Sequence, residues 1–178
     1  MRRLAEAIEQ SWDTARFEQD LQAYATQTRD ELLSVERLVS ALYTSLNDFE
    51  VFTSLTMLYF TAVSYSETAR RLGRPQLAES FFLYDDPGFG AESRLCLERI
   101  KKHLSVDQKT KLIRQIQHTI EPVNVAGLAN PDRRNWYPVD AEDLLKNAGK
   151  LGVGKEEIEQ LLNRSGFSAR DQIVNLET

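Results

Sequence analysis

The chain has 178 residues, 42% of them hydrophobic and 28% charged, enough to enclose one self-sufficient core of ordinary size without staples. Its formal net charge of −5, with the basic pairs Arg2/Arg3, Arg70/Arg71, Lys101/Lys102 and Arg133/Arg134 diluted by acidic neighbours, argues against nucleic acid as a principal partner. Cys96 is the single cysteine, which excludes an internal disulfide and a cysteine-based zinc cluster, and no apolar run is long enough for a membrane helix. A polar N-terminus unlike a signal peptide and the lone thiol lead us to expect a cytoplasmic protein.

Residues 1–33 hold no Gly or Pro and are rich in good helix formers, so they read as one long helix or two. Trp12, Phe17, Leu21 and Tyr24 supply its apolar stripe. A further helix is predicted over about 35–46, where Val35, Leu38, Val39, Leu42 and Leu46 fall on one face. The next helix has the strongest boundaries. Asn47 or Asp48 caps it with Glu50 in the first turn, and Arg70, Arg71, Gly73 and Pro75 spell its end. Between them the sequence is apolar around nearly the whole circumference, the pattern of a central, buried helix over about 48–72.

The polar residues of that helix are mostly small hydroxyls. Thr53, Thr56, Thr61, Ser64 and Thr68 lie within a sector of about 140° at 100° per residue. They can bond back to the preceding turn and admit a close neighbour, or they can line a substrate cavity, with Thr61 and Ser64 as candidate contacts.

Asp86 and Pro87 open another helix, expected to reach about His103. Ser105 and Gln108 form a capping box for the one after it, which Pro122 ends. A long irregular stretch follows over about 121–139. Asp140 then caps a short helix, and "KEEIEQLLNR" makes a last one. No strand-like alternation occurs. The expectation is an all-α irregular bundle of about six to eight helices around the central one, divided into a domain over 1–148 and a short helical appendage, 149–178, packed on it.

No catalytic, metal or cofactor signature emerges. His103 and His118 stand alone, ExxH and HExxH motifs are missing, and "DPGFG" lacks the strand and the third glycine of a dinucleotide cradle. The group that invites a role is Arg133, Arg134, Asn135, Trp136 and Tyr137. Arginine beside aromatics can anchor a loop to its own domain, or contact a small aromatic ligand or a protein partner.

Three segments, "LVSALYTSLNDFEVF", "LTMLYFTAVSYSETARRLGRPQLAESFFLYDDPGFG" and "IEPVNVAGLANPDRRNWYPVDAEDLL", resemble the C-terminal helical region of FAD-dependent oxidoreductases of the flavin-dependent, tryptophan-halogenase type. The likeness covers roughly residues 14–146. It implies a domain that packs on an FAD-binding domain and covers its substrate side, in a halogenase- or monooxygenase-like enzyme. FAD would then belong to an N-terminal domain outside this chain, and this chain would be a fragment or a stand-alone remnant without catalysis of its own. The glycine fingerprint, the Trp-rich motif and the catalytic lysine context of the family do not occur here, so no catalytic residue carries over. Alternatives from other classes are a stand-alone helical protein-interaction module and a small aromatic-ligand carrier.

Replacing Trp136 separates the two roles of its loop. Trp136→Ala is expected to cost about 3 kcal/mol if the loop is packed on the domain, and an unchanged melting temperature would assign the side chain to a partner-facing surface.

Overall fold

The computed structural model describes residues 2–100, 103–130 and 140–164. Within them the protein is all-α: seven α-helices and four short 3-10 turns, with no strand among the described residues. The Arg133–Tyr137 group lies outside the described residues.

The chain starts with α1 (Arg2–Ser11) and α2 (Phe17–Thr44), packed against each other as a hairpin. The break between them falls at 12–16, whereas the sequence pattern predicts a boundary near residue 34, which the continuous helix α2 overturns. No Gly or Pro marks the break; Asp13 itself takes a left-handed φ of 60°, and Thr14 Oγ1 accepts from the Arg16 N–H at 3.3 Å. Residues 35–44 are therefore the second half of one 28-residue helix, and Ser45 and Leu46 fall in the turn after it.

Helix α3 (Phe49–Arg71) is the axle. Asp48 caps it, accepting from the Val51 N–H at 3.4 Å, and Gly73 at φ 72° closes its far end. Leu55, Leu58, Ala62 and Ala69 are fully buried along it, and α5 (Val106–Ile120) lies against it through Leu112, Ile116 and Ile120. The small hydroxyls behave as helix-interior groups. Thr53 and Ser64 donate to the carbonyls of Phe49 and Phe60, each at 2.7 Å, and Thr56 donates to Thr53 at 2.6 Å.

Between α3 and α4 (Phe89–Glu98) the chain makes a tight double bend over residues 75–88. Phe82 and Leu83, both buried, take left-handed φ values of 62° and 51°. Helix α4 stops at Glu98, earlier than His103, with the Arg99 and Ile100 N–H groups closing onto Cys96 and Leu97. Asp86 supports its start, accepting from the N–H groups of Gly88 and Phe89. Gly90 is required there because a Cβ would collide with the Tyr84 carbonyl. Cys96 is a buried free thiol whose nearest polar neighbour is Thr119 at 3.8 Å, and burial pushes its pKa up. Both conditions make it unreactive.

The Ser105–Gln108 capping box of α5 is formed in both directions, at 3.3 and 2.9 Å. Beyond it, residues 121–130 are held to the body. Val123, Val125 and Leu128 are buried, and the Asn124 side chain exchanges two bonds with the Leu128 backbone at 2.7 and 2.8 Å. Asp140 caps α6 (Ala141–Lys146), and α7 (Lys155–Arg164) coincides with "KEEIEQLLNR". Leu151, Val153, Ile158 and Leu162 of this last part join the same hydrophobic core as α3 and α5.

Gly90→Ala is expected to cost about 3 kcal/mol or more, read as a fall in denaturation midpoint, since backbone and not a movable side chain blocks the methyl. A second expectation concerns the cap of α3. Lys109 Nζ, 2.7 Å from Asp48, and the Val51 N–H hold the Asp48 carboxyl below its ordinary pKa. The stability this lends is complete above the ordinary carboxylate range and is lost as pH falls through the depressed value. The stability difference between the wild type and Asp48→Asn should therefore shrink on acidification.

Candidate functional site

Most helices of a small bundle hide their apolar residues, but α2 does not. Only Glu31, Leu38 and Ala41 of its 28 residues are buried. The sequence places Leu38, Val39 and Leu46 on one inward face, and the structure divides them: Leu38 is inside, while Val39 and Leu46 face solvent. The buried edge of α2 lies roughly 120° around the helix from Val39 and Leu46.

Leu32 (65% exposed), Val39 (43%), Tyr43 (72%) and Leu46 (59%) make one surface row, at spacings of seven, four and three. Taking Leu32 as zero, Val39 and Tyr43 fall within about 40° of arc at 100° per residue, and Leu46 follows in the turn just past the end of α2. Phe49, 77% exposed at the start of α3, continues the row around the corner. Scattered exposed leucines are ordinary on protein surfaces, whereas several large apolar residues at helical spacing on one face are less so. The 7-4-3 spacing is present in the sequence and could have been found as a second face of α2, beside the one that packs.

Two grooves flank this helix. One, of about 350 Å³, runs between α2 and the end of α4, with Leu33, Arg37, Ala41, Leu97 and Ile100 in its walls. The other, of about 460 Å³, sits at the N-terminal end of α2, where the Trp12 and Phe17 rings meet edge to face at 5.1 Å. Trp12 is itself 67% exposed.

A third and larger groove, about 660 Å³, lies between α1 and residues 75–81, with Arg3, Gln27, Arg70, Glu79 and Phe81 among its lining. Its floor is a structural tie. Glu31, nearly buried, receives both guanidinium arms of Arg3, one at 2.7 Å, and its Oε1 also accepts the Phe81 N–H at 2.8 Å. That bond with Glu31 raises the Arg3 pKa. One carboxylate thus pins α1 and the start of the strained Phe81–Leu83 bend to α2. Glu31 is fully engaged by these contacts, which makes it a clamp rather than a reacting group.

Of the sequence-derived candidates, Thr61 and Ser64 are both buried inside the bundle. Ser64 Oγ is bonded to the Phe60 carbonyl, and the Thr61 hydroxyl has no hydrogen-bond partner among the described residues. No group of three or more His, Cys, Asp or Glu that could hold a metal ion occurs among the described residues. No described helix is long and apolar enough to cross a membrane. No family model matches the chain, and no curated protein or solved structure is significantly similar to it.

Removing the clamp should be costly. Glu31→Ala leaves the Phe81 N–H and the Arg3 guanidinium without their acceptor and is expected to destabilise the fold by about 2–3 kcal/mol, measured by chemical denaturation.

Proposed function

We propose that this protein is a helical interaction module that works by presenting the outer face of α2 to a protein partner. The observation that carries this reading is the row of Leu32, Val39 and Tyr43 on a long helix with only three fully buried residues, continued by Leu46 in the turn after it. A helix of 28 residues is about 42 Å long, the reach of a substantial helix-to-helix contact. The polar clamp at Glu31 supports the same reading, since its carboxylate is engaged in holding the bundle together.

The sequence likeness over residues 14–146 supports one particular version of such a partner. In it this chain packs on an FAD-binding domain and covers the substrate side of a halogenase- or monooxygenase-like flavoprotein while the flavin stays on the other domain. That version expects the purified chain to be colourless, and flavin absorbance retained through purification would overturn it.

The docking reading is tested on the row itself. In dilute protein, Leu32→Glu combined with Tyr43→Glu should leave helical content and the denaturation midpoint unchanged within about 0.5 kcal/mol, as for surface positions. A loss of several kcal/mol would place these side chains in the core and end the reading.

A further inference from the structure

We infer that the partner of the α2 face is a second copy of this chain, paired antiparallel across a two-fold axis near Leu32. This inference rests on the docking reading above and deepens it. A closed homodimer needs one surface that is complementary to itself under reversal. The α2 face meets that condition in its charges, in its apolar row and at its two ends.

The charges come first. Arg29 and Glu36 are both exposed, and neither has a hydrogen bond or ion pair among the described residues. They stand three and four residues on either side of Leu32. At 100° per residue they lie about 60° and 40° from it, on the same edge of the row. A two-fold axis perpendicular to two antiparallel helices keeps each edge facing the like edge while reversing direction. Arg29 of one copy therefore meets Glu36 of the other, and the pair occurs twice. Parallel pairing would instead set each edge against the opposite edge, leaving Arg29 and Glu36 without each other. The antiparallel arrangement also sets the two helix dipoles favourably.

The apolar residues obey the same symmetry. With Leu32 on the axis, Ala25 falls opposite Val39 of the second copy, and Leu21 opposite Tyr43. At the ends, the Trp12–Phe17 groove of one copy meets Leu46 and Phe49 of the other. Phe17 lies about 60° from Leu32 on the edge opposite to the charges, and Leu46 stands in the turn just past the other end of α2. A groove walled by two aromatic rings at one end of the helix and exposed aromatics at the other are the two halves of one contact.

Sedimentation equilibrium of the full chain tests this. The wild type is expected as a concentration-dependent dimer of the 20.4 kDa chain. Arg29→Glu alone, or Glu36→Arg alone, turns two attractive contacts into two repulsive ones and should weaken the dimer about tenfold. The doubly exchanged protein, Arg29→Glu with Glu36→Arg, should recover wild-type association, and only reciprocal pairing predicts that rescue. Leu32→Glu should leave a folded monomer. A wild-type chain that stays monomeric at all concentrations overturns the self-pairing, as does a dimer indifferent to both single reversals or one that the double exchange does not restore. In each of those cases a Leu32→Glu protein of undiminished stability leaves the docking reading standing, whereas loss of stability in dilute Leu32→Glu protein overturns both.

Discussion

Helix α3 carries the largest share of the buried residues, and the rest of the chain is arranged around its buried face. Two of its hydroxyls solve a local problem within their own turn, while that of Thr61 stays without an acceptor among the described residues. Ser64 takes its own Phe60 carbonyl and Thr53 that of Phe49, so neither needs a neighbour to satisfy it. Small residues at Ala62 and Ala69 add little bulk to the buried surface against which α5 and its neighbours pack. The 3-10 turns Pro75–Ala78 and Phe81–Leu83 and the buried residues of 121–130 then close over what α5 leaves open.

Covering α3 in this way leaves α2 peripheral. It is attached by a narrow edge, Leu38 and Ala41, and by the Glu31 carboxylate, which ties α1 and the Phe81 backbone to it. Nearly buried charge is expensive unless every lone pair is used, and here the guanidinium and a backbone N–H supply the partners. The clamp lets a 28-residue helix stay in place with few buried side chains. A surface held rigidly but not consumed by the core is what recognition of a partner needs, because little order has to be gained on binding.

Much of this was legible in the residues. The Asp48 cap, the Arg70–Arg71–Gly73 stop, the Ser105–Gln108 box and the bounds of α7 are local signals, decided by hydrogen bonds within a turn or two, and the structure follows them. The break at 12–16 and the early end of α4 were not legible, because Asp13 carries a left-handed φ without the glycine that usually announces it and no glycine or proline stands at Glu98. Val39 and Leu46 were read with Leu38 as one inward face. Periodicity reports that a stripe is apolar and says nothing of what lies against it.

The sequence by itself determined the all-α class, a buried central helix and the places where most helices begin and end, since these follow from periodicity and from backbone groups satisfied close by. Only the tertiary structure decided which apolar stripe became core and which became surface. It also joined Arg3, Glu31 and Phe81, separated by 28 and 50 residues, into one clamp. Burial is a property of the neighbours a residue acquires, and the neighbours of α2 are chosen by how α3 is covered.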